Sequence, residues 1–154
     1  MKGNEKVIAK LNDLLSDELT AISQYMVHSE MCKNWQYDKL HEKIEKRAVS
    51  EMKHAEQLIG RILFLEGRPT VSALKKMHIG EDIQKQFASD LNAEEGAVKA
   101  YNAAIKLCFD EGDNGSRELL DSILKDEEEH LDWIEAQLDH ITKMTMENYL
   151  TIQV

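Results

Sequence analysis

Apolar side chains recur every three or four residues through Val7, Ile8, Leu11, Leu14, Leu15, Leu19 and Ile22, and the stripe continues to Tyr25, Met26 and Met31. With 3.6 residues per turn that spacing marks one buried face, and it predicts a first helix over about 4–34. A second stripe through Leu40, Ile44, Ala48, Met52, Ala55, Leu58, Ile62 and Leu65 predicts a helix over about 39–66. It stops at Gly67-Arg68-Pro69, because glycine favours the conformation that ends a helix and proline cannot continue one. The pattern weakens from Thr70 to Gly80, resumes over about 81–111, breaks at Gly112-Asp113-Asn114-Gly115, and runs again over about 115–144. The last segment, about 146–152, reads as a short fifth helix, with a frayed tail as the alternative.

Each long segment has about thirty residues and so spans roughly 45 Å at 1.5 Å per residue, a length that suits a bundle. Two connections are short turns that force antiparallel neighbours. The third, about a dozen residues long, can cross the length of a bundle. The expected fold is therefore all-α, a single domain over 1–154: a ferritin-like antiparallel four-helix bundle with one long crossover and a short C-terminal fifth helix.

Composition agrees and narrows the partners. With 154 residues, 42% of them apolar, the chain can bury one sizeable core, and one proline with seven glycines leaves little turn chemistry. Nineteen basic residues stand against twenty-nine acidic ones, a net charge of -10, which repels a phosphate backbone and attracts cations. Nucleic acid is thus not an expected partner. Cys32 and Cys108 are too few and too far apart for a disulfide framework or a thiolate metal site, which points to reduced thiols in a cytoplasmic protein. The opening Met1-Lys2-Gly3-Asn4-Glu5-Lys6 leads into an amphipathic segment, so neither a signal peptide nor a membrane span is expected.

Two Glu-x-x-His pairs, Glu51 with His54 and Glu127 with His130, each set a carboxylate and an imidazole about 300° apart, side by side on one helix face. Either pair alone is weak evidence in so acidic a chain, where a charged run usually lines a solvated face. Their spacing is more telling. Glu127 follows Glu51 by 76 residues, His130 follows His54 by 76, and Glu94 follows Glu18 by 76. Leu11 maps onto Phe87 at the same offset, Leu15 onto Leu91, Ile22 onto Val98, Tyr25 onto Tyr101 and Leu58 onto Ile134. Two helical hairpins share one pattern.

Glu18 and Glu94 lie on the buried stripes of their helices. Four carboxylates converging in a core repel one another unless cations neutralise them, and two divalent ions carry the four charges required. One Glu from each of two helices and Glu-x-x-His from each of the others is the di-iron or di-manganese bundle arrangement. Glu18, Glu51, His54, Glu94, Glu127 and His130 are therefore the candidate ligands, and oxygen and imidazole donors without thiolate suit iron or manganese. Tyr25 is either a hydrogen-bonding neighbour of the site or a core aromatic, like its counterpart Tyr101.

At this point the sequence resembles bacterioferritin. The similarity runs from Met1-Lys2-Gly3 through Arg61-Ile62-Leu63-Phe64-Leu65-Glu66-Gly67 and Ile79-Gly80-Glu81 to Asn148-Tyr149-Leu150. The resemblance implies that Glu18 and His54 bind one iron, that Glu94 and His130 bind the other, and that Glu51 and Glu127 bridge them. It implies a ferroxidase that oxidises ferrous iron with O2 or H2O2 and stores ferric mineral in a homo-oligomeric shell of 24 subunits built from dimers. It also implies haem b, one per subunit pair, held by Met52 from each chain, and a ferredoxin-type reductant for iron release. Read from spacing alone, Met52 points away from the candidate ligands, where a methionine is more often an interface contact. Lys46 and Ser50 stand where some members offer His and Asp to a further cavity iron, so that extra site is not expected. The alternative is a ferritin-like di-iron oxidase or peroxide-reducing protein that stores nothing, since fold alone does not fix function.

Overall fold

The computed structural model describes residues 1–154, and all its regular elements are helices: α1 Glu5–Asn34, α2 Asp38–Phe64, α3 Ile83–Asp110, α4 Asn114–Met144 and α5 Met146–Thr151. Three long helices start on side-chain caps that satisfy backbone donors left free in a first turn. Asn4 Oδ1 accepts from the backbone N–H of Lys6 at 2.8 Å, Asp82 Oδ1 from that of Lys85 at 2.8 Å, and Asp113 Oδ1 from that of Ser116 at 2.9 Å.

α1, α2 and α3 end on one shared device. Gln36, Glu66 and Gly112 take φ of 65°, 61° and 72°, and the N–H of the next residue turns back to the carbonyl of Cys32, Ile62 or Cys108 respectively. Glu66 thus takes the left-handed position expected of Gly67, and α2 closes at Phe64. Gly67 is needed for space instead, since a Cβ there would lie 2.7 Å from Ile8 Cγ2.

Hairpins α1–α2 and α3–α4 pack together through α1 and α3, which run antiparallel: Tyr25 meets Glu94 while Tyr101 meets Glu18. Between the hairpins, residues 65–82 form a crossover longer than the dozen residues expected, without regular structure. It is held by a polar ladder at every fourth residue of α1. Asn12 Oδ1 accepts from the Thr70 N–H (2.8 Å), Ser16 Oγ donates to the Ala73 carbonyl, and Thr20 Oγ1 accepts from the Lys75 N–H (2.8 Å). Gln24 Oε1 then accepts from the His78 N–H (3.0 Å) and His28 Nε2 from the Gly80 N–H (2.9 Å). Asp90 on α3 completes the ladder, accepting from Gln24 Nε2 and His28 Nδ1 at 2.9 Å each. Backbone groups that a sheet or helix would pair are paired here by side chains.

The apolar core comes in two parts. One surrounds Leu11, Leu15, Leu58, Ala104 and Leu120; the other surrounds Ile44, Phe87, Ile134 and Tyr149 of α5. A buried layer of acids and imidazoles joins α1–α4 as well. No helix is long and apolar enough to cross a membrane.

Candidate metal centre

The buried layer contains all six candidate ligands. α1 supplies Glu18, α2 supplies Glu51 and His54, α3 supplies Glu94, and α4 supplies Glu127 and His130. The four glutamates and His54 are at most 3% exposed, and the His130 side chain is 14% exposed. Two overlapping donor groups result, Glu18–Glu51–His54–Glu127 and Glu51–Glu94–Glu127–His130, with the ligand atoms of each within 4.8 Å of one another. Glu51 and Glu127 belong to both. His54 Nδ1 lies 3.0 Å from Glu51 Oε2 and 3.0 Å from Glu127 Oε1, while His130 Nδ1 lies 3.2 Å from Glu51 Oε1.

The tyrosines fix the two outer carboxylates crosswise. Tyr25 Oη donates to Glu94 Oε1 from the opposite hairpin, and Tyr101 Oη donates to Glu18 Oε1. One oxygen of each glutamate is thereby engaged and the other left free. Five buried atoms, Glu18 Oε2, Glu51 Oε1, Glu94 Oε2, Glu127 Oε1 and His130 Nδ1, have no hydrogen bond at all. Such atoms are costly to leave unpaired, and their lone pairs turned toward one another make a set of cation donors. Oxygen and imidazole donors of this kind fit two divalent ions bridged by Glu51 and Glu127.

Without cations, the acids must share charge in another way. Burial holds the Glu18 and Glu94 carboxyls well above the usual carboxylate range and raises Glu51 as well. Glu127 is held well below that range although burial opposes it, because the Glu94 carboxyl, the two imidazoles and the Glu51 carboxyl crowd around it and favour its charged form. His54 is likewise raised against burial, by the carboxylates of Glu127, Glu18 and Glu51 around its Nδ1. His130 goes the other way: burial lowers it, and the positive charge of Arg47 adds to that.

Behind the ligands the repeat fails. His54 Nε2 lies 2.9 Å from Asp126 Oδ2, a contact that orients a metal-ligating imidazole, and residue 50, the equivalent of 126, is Ser. His130 makes its acid contacts through Nδ1 only. Arg47, with its side chain 5% exposed, reaches Glu94 Oε1 with Nη1 at 3.5 Å and lies over the rings of Tyr25 and Trp133. Its equivalent, Ile123, is a buried apolar residue. Sequence reading missed Arg47, Asp126 and the crosswise tyrosine contacts. A charged residue between Ile44 and Glu51 on a buried stripe was the available signal for Arg47, whereas nothing set Asp126 apart within an acidic run.

A cavity of about 440 Å³ has Glu18, Tyr25, Glu51, Glu94 and Glu127 in its wall, together with the more exposed Asp17 and Lys75. Met52 lies outside the layer, 44% exposed and three residues from the exposed Val49. Both cysteines are free and buried, and burial pushes their thiols up to about 12 for Cys32 and about 11 for Cys108.

Comparison with known proteins gives one answer. The ferritin-like domain family matches residues 8–144. A bacterioferritin of Brucella melitensis is 39% identical over 149 residues, 97% of this chain and 92% of that protein. A bacterioferritin of Rhodobacter capsulatus is 42% identical over 138 residues, 90% and 86% of the two chains, and one of Mycolicibacterium paratuberculosis is 38% identical over 149 residues, 97% and 94%.

Proposed function

The chain belongs to the ferritin-like family and within it to the bacterioferritins, and from that premise we propose that it stores iron by oxidising Fe(II) to Fe(III) at the six-residue site. The oxidant is dioxygen or hydrogen peroxide, and the ferric mineral collects inside a shell of 24 subunits built from dimers, in the cytoplasm. The observation that carries the reading is the set of five unpartnered buried atoms among four carboxylates and two imidazoles.

Iron is the substrate: each Fe(II) gives up one electron, and two together supply the pair that, with two protons, reduces hydrogen peroxide to two waters. The protein supplies position and charge. Glu18 with His54 holds one ion, Glu94 with His130 the other, and Glu51 and Glu127 bridge them. Tyr101 and Tyr25 keep one oxygen of Glu18 and of Glu94 engaged, so that the other oxygen of each would be free to take a cation. Asp126 fixes the ring of His54. The cavity beside the carboxylates admits a small oxidant.

For haem, Met52 offers an exposed thioether on the side of α2 away from the carboxylates, and it is the residue that would hold the group together with Met52 of a second chain. Haem b, one per subunit pair, would supply one-electron carrier chemistry when bound, and a ferredoxin-type reductant would be the partner for iron release.

Anaerobic titration with Fe(II) followed by oxygen tests the reading, with iron counted per particle and particle mass measured by sedimentation. The expected result is two Fe(II) per chain, oxidised on mixing, and mineral retained in a shell. Oxidation by a small particle that keeps no iron would leave a non-storing oxidase instead. After expression with adequate haem, a Soret band that disappears in Met52→Ala is expected, and a band unchanged in that variant would remove Met52 from the ligand role.

A further inference from the structure

We infer that the two cation positions are unequal: the one beside Glu18 and His54 is tight and fills first, and the one beside Glu94 and His130, faced by the buried guanidinium of Arg47, is weak and fills second. The inference rests on the two-cation reading of the site and adds an order of filling.

The donors themselves are repeated, each half having one outer glutamate, one histidine and the same two bridging acids. Inequality must therefore come from what stands behind them. On the α1 side a carboxylate has been added, because Asp126 Oδ2 lies 2.9 Å from His54 Nε2. On the α3 side a cation has been added, because Arg47 Nη1 lies 3.5 Å from Glu94 Oε1. Neither has an equivalent in the other half, where Ser50 and Ile123 occupy the matching positions. The halves thus differ by one negative and one positive charge while offering the same ligand atoms.

Arg47 is well placed to keep this charge whatever the cations do. A guanidinium is always protonated, and this one is clamped between the aromatic faces of Tyr25, at 5.7 Å, and Trp133, at 5.4 Å. It shares Glu94 Oε1 with the Tyr25 hydroxyl, so Glu94 is already partly neutralised before an ion arrives. Asp126 acts in the opposite sense, making the His54 imidazole a better donor. A fixed unit charge so close to a divalent ion in a largely buried site is worth at least about tenfold in affinity. Arg47 is on this reading a positioning residue that sets the affinity of the second cation.

The assembled, metal-free protein is titrated with Co(II), a divalent ion that oxygen does not oxidise readily at such donors, by calorimetry and by its visible absorption. Two ions per chain are expected to enter in resolved steps at least about tenfold apart in Kd. Arg47→Met should tighten the second step about tenfold and leave the first nearly unchanged, while Arg47→Lys, whose ammonium lacks the stacking fork and gives up its proton more readily when buried, should fall between Arg47→Met and wild type. Asp126→Asn should weaken the first step. A merely structural role for Arg47 would give the opposite sign, since a disturbed site loosens. Two equal steps in the wild type, a second step unchanged or weakened in a helical Arg47→Met protein, or an Asp126→Asn effect on the second step would overturn the inequality alone. Should Arg47→Met fail to fold, the wild-type isotherm and Asp126→Asn still decide. No cobalt binding at all, or binding indifferent to Glu127→Gln, would overturn the two-cation reading itself and the inequality with it.

Discussion

The half-site of Glu18 and His54 and the half-site of Glu94 and His130 repeat their ligands and the tyrosine that braces each outer glutamate, then part company one layer further out. Ligand geometry is demanding, because a cation bridged by shared carboxylates tolerates little displacement, so both hairpins keep the same residue types at the same offset. The surrounding layer answers to charge and packing instead, and there Asp126 has Ser50 as its counterpart in the repeat and Arg47 has Ile123. On the proposed two-cation reading, symmetry in a duplicated site is carried by the atoms that would bind, and its bias by charges that would not.

The harshest way to break the comparison is to remove something both halves share. Glu127 lies within reach of both histidines and belongs to both donor groups, whereas Glu18 serves only one. Glu127→Gln should lower the initial rate of ferrous oxidation on the order of 100-fold or more, and Glu18→Gln should lower it less, because one half-site stays intact. The check is stopped-flow absorbance of the ferric product at saturating oxygen. Equal losses would mean that Glu127 is not shared.

A smaller effect should appear when the braces are cut in the metal-free protein. Tyr101→Phe strips Glu18 of its hydroxyl donor, leaving only His54 Nδ1 at 3.7 Å from its other oxygen. Tyr25→Phe strips Glu94 of its donor but leaves Arg47 in place. Losing a donor to a buried carboxyl costs about 1–3 kcal/mol, so Tyr101→Phe is expected near the top of that range and Tyr25→Phe near the bottom. Thermal midpoints measured side by side on assembled, metal-free particles decide it, and a larger drop for Tyr25→Phe would show that Arg47 does not support Glu94.

How far the sequence disclosed this site follows the same division. The all-α bundle with its long crossover was legible because the apolar stripes are long and their interruptions, at 67–69 and 112–115, are abrupt. The six acids and imidazoles could be singled out because one offset relates them all. Arg47 left one trace, a charge on the buried stripe between Ile44 and Glu51, whereas Asp126 sits in an acidic run and resembles any other surface charge until the chain is folded. The crossover was read as shorter than residues 65–82 because its order comes from Asn12, Ser16, Thr20, Gln24 and His28, polar residues on another helix. A polar residue at every fourth position of α1 was visible, but nothing in the sequence said what those side chains would hold.

The gentlest probe of the comparison is pH, because the two histidines are pushed in opposite directions. His54 is raised from its ordinary value, so in the metal-free protein it keeps its proton through neutral pH, and an ion binding at Nδ1 must expel it. His130 is lowered, so it is already neutral there and gives up no proton. Glu18 and Glu94 are both raised and penalise both halves alike at low pH. The field that holds a proton on His54 is the one that draws a cation to it, which makes proton and metal competitors at that half. Between about pH 6 and 8, cobalt affinity at the Glu18–His54 position should therefore climb with pH by up to about tenfold per unit more than at the Glu94–His130 position. The gap between the two titration steps should narrow as the solution is acidified, and repeating the Co(II) isotherm at three pH values reads it directly. Parallel slopes for the two steps would show that both imidazoles start from the same protonation state, leaving Arg47 and Asp126 without the opposed fields their positions imply.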